Sequence, residues 1–164
     1  MKCFYHNDLD GRCAGHIVAS KLGCTMEENE DDFIEITYGK DFPLWVVQPN
    51  EEVYIVDYSI EPEEMEKLLD VTPKIYWIDH HKTAIEKYEE YENRLPIDGI
   101  RKIGTAGCCL TWEFLFGGEI PMPIQYIGDR DVWTWKYGNE TKFFCNGCGL
   151  LDLHPLSQDW ERFF

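Results

Sequence analysis

Three short apolar runs, each ending at an imidazole or acidic side chain, constrain the fold of this chain more than any other feature. The runs are residues 2–6, 53–56 and 74–78, and Asp57 and Asp79 directly follow the second and the third. Continuous β-prone runs of this length, bounded by turn-forming residues, are typical of buried strands. The sequence therefore predicts strands whose carboxyl ends carry polar groups.

Helical patterns alternate with these runs. Residues 12–22 carry apolar side chains at three- and four-residue spacing and are followed by Gly23, which is typical of a helix and its C-cap. Strands that alternate with helices form βαβ units. We therefore expect an α/β fold, with a mainly parallel sheet flanked by helices. The other predicted elements are a strand at 33–38, a helix that begins at Pro62, and helices at 105–116 and 121–133.

Two further segments are expected to be irregular. Residues 27–32 form an acidic run that is typical of a solvated loop, and Cys145 and Cys148 form a C-x-x-C that we interpret as a tight turn. The seven cysteines are odd in number and irregularly spaced, which argues against a secreted disulfide framework. A zinc or redox site at Cys145 and Cys148 is the less favoured alternative, because a structural zinc needs four ligands.

The length of 164 residues predicts one domain spanning residues 1–164. There are 31 acidic and 15 basic residues, and the net charge of −16 disfavours binding to long nucleic acid. The sequence contains no apolar stretch long enough to span a membrane and no secretory leader in its first ten residues. A cytoplasmic protein is therefore expected.

The acidic and imidazole groups are expected to converge, because the carboxyl ends of the strands in an open α/β sheet form the ligand crevice. The two-residue period of an extended segment would also place His6, Asp8 and Asp10 on one side. At an effective dielectric of about 20, two carboxylates about 4 Å apart repel by roughly 4 kcal/mol. Four converging aspartates must therefore take up protons or hold cations, and neutral imidazoles would complete the metal ligands.

These residues resemble, in order, the four motifs of the DHH phosphoesterase superfamily. The motifs are residues 6–11 (HNDLDG), the isolated Asp57, residues 79–81 (DHH) and residues 126–133 (YIGDRDVW). They lie within residues 2–135, which leaves 136–164 as a C-terminal tail. The spacing is most similar to the oligoribonuclease B or cyclic-nucleotide phosphodiesterase branch. The resemblance implies a DHH-type catalytic domain.

The resemblance also implies a site for two divalent cations, usually Mn²⁺, with Mg²⁺ or Co²⁺ as alternatives. Asp131 stays open as an alternative to Asp129, because the fourth motif is the loosest of the set. The implied metal ligands are His6 and Asp8 for one ion, Asp10, His80 and Asp129 for the other, and Asp57 as the bridge between the two ions.

The implied chemistry is hydrolysis by a water molecule that bridges two cations and attacks the phosphorus in line, so that no protein nucleophile is needed. The resemblance places His81 against the scissile phosphate and gives Asp79 the role of orienting the histidines. Phosphate-binding candidates are Lys82, Arg101, Lys102, Arg130, and the backbone N–H groups around Gly104 and Thr105 at the start of a helix.

Most DHH phosphoesterases carry a second, C-terminal domain that grips the nucleotide, and this chain ends before such a domain could be built. We expect either a truncated chain or a short form that dimerises. The apolar side chains of the tail should be buried on the main domain or in a homodimer. These side chains are Leu150, Leu151, Leu153, Trp160, Phe163 and Phe164.

The acidic charge favours a small nucleotide or a short oligonucleotide as the substrate of a phosphodiesterase. Two alternatives remain. One is a module that binds a nucleotide without cleaving it, which would explain the missing substrate domain. The other is a pyrophosphatase-like hydrolase, since the related inorganic pyrophosphatases share this type of site.

Overall fold

The sheet contains four parallel strands in the order β2-β1-β3-β4 in the computed structural model, which describes residues 1–92 and 94–163. Cys3 of β1 pairs with Phe33 on one side and with Tyr54 on the other, so β1 is an inner strand. The predicted α/β class with a parallel sheet and flanking helices is confirmed. The strands are β1 (Lys2–His6), β2 (Phe33–Ile36), β3 (Val53–Val56) and β4 (Ile75–Ile78).

Helices connect and follow these strands. Within the described ranges, no helix has the length and apolar character needed to cross a bilayer. The helices are α1 (Leu9–Leu22), α2 (Met26–Asn29), α3 (Pro62–Val71), α4 (Lys82–Glu90), α5 (Gly107–Leu115), α6 (Met122–Asp131) and α7 (Asn139–Cys148), and short 3₁₀ turns occupy Glu30–Asp32, Leu44–Val46 and Gln158–Arg162.

Several element boundaries differ from the sequence-based expectations. The first helix begins at Leu9 rather than at residue 12, because the Asp8 side chain caps it by accepting a hydrogen bond from the Gly11 N–H. The acidic run forms the exposed helix α2 and a 3₁₀ turn rather than a loop. Cys145 and Cys148 lie in α7 rather than in a tight turn, and both thiols are buried. Helix α4 was not predicted.

Alternate side chains of the strands face two hydrophobic cores on opposite sides of the sheet. Tyr5 and Val56 contribute to a core that also contains side chains of α1, α5 and α6. Phe4 and Ile55 contribute to the other core, which contains side chains of α3 and α4. The strands of a parallel sheet carry apolar side chains on both faces, so helices must cover both faces to keep these side chains from water.

The C-terminal segment packs on the first of these cores. Leu153 and Trp160 are buried there, and the Trp160 ring stacks on His16 with 5.0 Å between the ring centroids. Leu150 remains 86% exposed. Phe164, which the sequence analysis grouped with these apolar side chains, lies outside the described residues. A homodimer stays a prediction.

The strand order places a topological switch point between β1 and β3. The chain leaves β1 toward β2 on one side and later enters β3 on the other side, so the connections diverge at this point. Ligands of open α/β sheets bind outside the carboxyl ends of the strands at such a switch point. His6 ends β1 and Asp57 directly follows β3, so both residues lie at this switch point.

The close approach of α1 to β1 requires a glycine at position 11. A Cβ atom at Gly11 would lie 2.3 Å from the His6 carbonyl oxygen, whereas one at Gly147 of α7 would meet nothing within 4 Å. Gly11→Ala should therefore lower the free energy of unfolding by about 1–3 kcal/mol. Gly147→Ala should raise it by about 0.5–1 kcal/mol, because alanine favours the helix. Urea unfolding of both variants measures the difference, and equal effects would contradict the packing argument.

Candidate metal centre

The carboxyl end of β1 supplies the first group of candidate ligands. The His6 Nδ1 atom lies 2.8 Å from Asp8 Oδ2 and 3.9 Å from Asp57 Oδ2. One ligand atom from each of these three residues lies within 4.8 Å of the others. Metal–oxygen and metal–nitrogen bonds are about 2.0–2.6 Å long, so one cation could contact all three side chains.

A second group is centred on His80. The His80 Nε2 atom lies 3.1 Å from Asp57 Oδ1, 3.4 Å from Asp131 Oδ2 and 3.7 Å from Asp10 Oδ2. Asp10, His80 and Asp131 together form a second set of ligand atoms within 4.8 Å of one another. One imidazole N–H cannot donate to three carboxylates, and Asp131 Oδ2 is buried without a hydrogen bond from any described residue. A cation would satisfy this arrangement.

Asp57 lies between the two groups. Its side chain is 1% exposed, with Oδ1 directed to His80 and Oδ2 toward His6. Its backbone has a φ of 52°, a left-handed conformation that is uncommon for residues other than glycine and is found at functional sites. The two oxygens of this one carboxylate can therefore contact both groups, which is the geometry that a bridging ligand needs.

Asp79 orients the two histidines that follow it. Its side chain is fully buried, and its Oδ1 atom accepts hydrogen bonds from the backbone N–H groups of His80 and His81 and from His81 Nδ1 at 2.6 Å. The hydrogen bond to Asp79 raises the pKa of His81 despite its burial. Because Nδ1 donates to Asp79, the other ring nitrogen of His81 is the one available to a ligand.

Asp10 connects the site to α5. It lies in the first turn of α1 rather than in the extended segment that we expected, and it is buried. Its carboxylate accepts hydrogen bonds from the N–H groups of Gly107 at 2.7 Å and Cys108 at 2.9 Å. The positive end of the α5 dipole thus stabilises a carboxylate. The Gly107 N–H belongs to the segment that begins with the phosphate-binding candidates Gly104 and Thr105, and it is engaged by Asp10.

The crowding of carboxylates perturbs their pKa values. Burial and the neighbouring Asp10 and Asp8 carboxylates raise the pKa of Asp57 well above its usual range. Burial and the same two neighbours raise the pKa of Asp131 to about 7. Burial lowers the pKa of His80, which favours the neutral, metal-binding form of the imidazole. A neutral His80 therefore does not offset the charge of the neighbouring carboxylates.

Asp129 has a different environment from Asp131. Its Oδ1 atom accepts hydrogen bonds from Thr134 Oγ1 at 2.5 Å and from the Lys136 N–H at 2.6 Å. Its Oδ2 atom accepts hydrogen bonds from the Tyr137 N–H at 3.2 Å and from Thr141 Oγ1. Asp129 belongs to none of the candidate metal groups among the described residues. The geometry therefore favours Asp131 as the ligand, because both oxygens of Asp129 are occupied.

The predicted phosphate-binding residues are placed unequally. Arg130 lines a cavity together with Asp8, Asp10 and Asp131, so it borders the centre. Arg101 donates instead to the carbonyl oxygens of Trp77, Ile97 and Asp98, and its guanidinium lies over the Trp77 ring. The remaining candidates are Lys82, which pairs with Glu86, and the loop residues Lys102, Gly104 and Thr105 ahead of α5.

Three aromatic residues beside the centre were given no role in the sequence analysis. The Tyr38 ring packs on His6 and His81, with centroid distances of 5.5 and 5.9 Å, and stacks on Tyr58 at 4.5 Å. Trp133 lines the same cavity as Arg130 and Asp131. Trp133 is the last residue of the fourth motif, which was a usable signal. Tyr38 follows a strand that carries no motif, so nothing local marked it.

Comparisons with known proteins support the fold and assign no activity. A scan against models of protein families found no match. A segment of 95 residues is 32% identical to uncharacterized protein R106 of Acanthamoeba polyphaga mimivirus and covers 57% of this chain and 22% of that protein. The chain thus spans about a fifth of the length of this relative. The crystal structure of an uncharacterized protein from Helicobacter pylori G27 is similar, with a TM-score of 0.62 at 16% identity over 82% of this chain and 43% of that one.

Separate substitutions of Asp129 and Asp131 test whether Asp129 is a structural carboxylate and Asp131 a metal ligand. Asp129→Asn should lower the free energy of unfolding by about 2–4 kcal/mol, because buried donors lose a charged acceptor. Asp131→Asn should not destabilise the metal-free protein, because it removes one of several repelling charges. Manganese should raise the Tm of Asp129→Asn but raise that of Asp131→Asn much less. Thermal unfolding in chelator and in manganese measures both effects, and the reverse pattern would make Asp129 the ligand.

The contribution of Asp129 to the free energy of unfolding should also depend on pH. Although burial raises the pKa of this carboxyl, the hydrogen bonds from Thr134, Thr141 and two backbone N–H groups lower it to about 2. A group with a lowered folded-state pKa stabilises the protein above its unfolded pKa of about 3.9. The stability difference between wild type and Asp129→Asn should be constant above about pH 5 and shrink as the pH falls toward 2. Urea unfolding across this range measures it, and a pH-independent difference would contradict the assignment.

Proposed function

We propose that this chain is a DHH-type, manganese-dependent phosphodiesterase that cleaves a short oligonucleotide or a small nucleotide. The observation that carries the proposal is the position of Asp57. Its two oxygens are directed to two separate groups of ligand atoms, His6 with Asp8 and His80 with its neighbouring carboxylates. Two cations joined by one carboxylate form a type of centre that is suited to phosphoryl chemistry.

The side chains present fit two divalent cations. The candidate ligands are carboxylates and imidazoles. Besides the two groups described above, Asp57, His80 and His81 form a third set of ligand atoms within 4.8 Å of one another, and none of the three groups found among the described residues contains a thiolate. Oxygen and imidazole donors suit Mn²⁺ and Mg²⁺, whereas thiolates would have favoured zinc. The buried Asp131 Oδ2 atom, which accepts no hydrogen bond from the described residues, is an additional ligand atom of the required charge.

When bound, the cations would lower the pKa of a water molecule and offset the charge on the phosphate oxygens. The chain itself would supply orientation and a proton. Asp79 fixes the ring of His81 through a 2.6 Å hydrogen bond, and the His81 side chain is 33% exposed, so a substrate can reach it. His81 could then donate a proton to the leaving oxygen. Arg130 borders the cavity at the centre and could contact a phosphate oxygen.

The net charge of −16 supports a small substrate, because long nucleic acid would require a basic channel to neutralise its phosphates. Binding without cleavage and phosphoanhydride hydrolysis are the alternative outcomes of one assay. The assay incubates the protein with cyclic dinucleotides, short RNAs and pyrophosphate, first with manganese and then with chelator.

Asp57→Asn should abolish phosphodiester hydrolysis in manganese, with at least a hundredfold loss of kcat/KM, because the amide carries no charge to hold two cations together. Asparagine tolerates the left-handed backbone of this position, so the fold should be retained. The measurement is steady-state cleavage of a short RNA, together with calorimetric titration of manganese.

The matched control is Asp152→Asn, which changes an exposed carboxylate that belongs to none of the candidate metal groups among the described residues. This control should cleave at the wild-type rate. Full activity of Asp57→Asn would rule out the bridging role. A normal rate in chelator would rule out metal dependence.

A further inference from the structure

Trp133 is held in a costly conformation beside the candidate metal centre. It is 73% exposed, and its backbone has a φ of 60°, which is strained for a bulky side chain. It lines a cavity of about 240 Å³ with Asp8, Asp10 and Asp131. Burial in the core does not explain this tryptophan, because most of its surface faces solvent. Residues held in strained conformations at ligand sites commonly act as clamps.

Asp129 positions the loop that presents Trp133. The Asp129 carbonyl oxygen accepts hydrogen bonds from the N–H groups of Thr134 and Trp135, and its carboxylate accepts those of Lys136 and Tyr137. Trp135 also has a positive φ, of 52°, and its ring meets the Trp133 ring edge to face at 5.1 Å. Asp129 therefore holds the loop, through both its carbonyl oxygen and its buried carboxylate, in a shape that keeps the Trp133 indole at the rim of the centre.

Tyr38 occupies a comparable place next to the two histidines. Its ring stacks on Tyr58 with 4.5 Å between centroids and an interplanar angle of 27°, yet Tyr38 remains 51% exposed. It packs against His6 and His81 and lines a cavity of about 370 Å³ that also contains Lys40. Tyr58 is buried and fixes the orientation of the Tyr38 ring. Tyr38 therefore offers an aromatic surface beside His81, whereas Trp133 offers one beside Asp131.

We infer that Tyr38, beside His6 and His81, and Trp133, beside Asp131, are two base-stacking platforms at the metal centre, and that the preferred substrate is a phosphodiester that joins two nucleosides. This inference rests on the proposed function, because it places the scissile phosphate at the centre. Aromatic side chains stack on nucleobases whatever their sequence, and both platforms adjoin the groups that would hold the phosphate. A dinucleotide is the smallest substrate with a base on each side of its phosphate.

The test compares four ligands in manganese: phosphorothioate-linked ApA, the two analogues that lack one base, and the analogue that lacks both. Calorimetry should show that the wild type binds ApA more tightly than each one-base analogue. Trp133→Gly and Tyr38→Ala should each weaken ApA binding about 5- to 150-fold, the range that one base–aromatic stack is worth. In each variant, removing the base that the substituted platform would bind should no longer weaken binding, whereas removing the other base still should. The insensitive base should be a different one in Trp133→Gly and in Tyr38→Ala.

The chosen variants guard against unfolding. Glycine adopts the φ of position 133 without strain, so Trp133→Gly should unfold at or above the wild-type temperature. Trp133→Phe and Tyr38→Phe should restore most of the affinity. The matched control is Trp45→Ala, because Trp45 is 76% exposed and lines neither of these two cavities. This control should bind ApA with the wild-type Kd.

The outcomes distinguish this inference from the proposed function. The assignment of the two platforms would be wrong if both variants bound ApA with the wild-type affinity. It would also be wrong if the wild type bound ApA and the analogue without bases equally well. Hydrolysis of the normally linked analogue without bases would still support the phosphodiesterase in that case. Base-dependent binding of phosphorothioate-linked ApA, with no hydrolysis of normally linked ApA in manganese, would support the platforms and contradict the phosphodiesterase.

Discussion

Mutual repulsion among carboxylates at the carboxyl ends of β1 and β3 is the constraint on which the rest of this structure depends. Asp57 is almost fully buried, and Asp8, Asp10 and Asp131 all raise the free energy of its ionised form. Such a cluster is unfavourable unless protons or cations neutralise it. The fold nevertheless concentrates these groups at the switch point of the sheet, where a ligand crevice is expected. The cost of the arrangement is the physical reason to expect cations there.

The surrounding elements are fixed to this cluster rather than simply packed near it. Asp8 caps α1, and Asp10 accepts two hydrogen bonds from the first turn of α5. Gly107 lets that helix approach Asp57 so closely that an added Cβ would lie 2.6 Å from the Asp57 Cβ. The same carboxylates therefore position helices and form the candidate metal groups. Geometry is thus set by the fold before any ligand binds, which is what preorganised catalysis requires.

Two aspartates of one short motif have different roles for a reason that is visible in the tertiary structure. Asp129 belongs to no candidate metal group among the described residues and accepts hydrogen bonds from donors of residues 134–141, and those hydrogen bonds keep its pKa low. Asp131 lies at the end of α6, with one buried oxygen 3.4 Å from His80 Nε2. One carboxylate thus shapes the loop that carries Trp133, and the other faces the candidate metal site.

The sequence by itself determined the strands, their parallel arrangement, and the gathering of His6, Asp57 and His80 at one edge, because apolar periodicity and strand-end polarity are local properties. It did not find α7, whose cysteines and glycines mimic a turn, and it left Asp129 and Asp131 unresolved. Only the tertiary structure decided between them, because hydrogen-bond partners such as Thr134 and Thr141 become neighbours through chain reversal. It likewise brought Tyr38 beside His81, since that contact depends on strand order rather than on any local pattern.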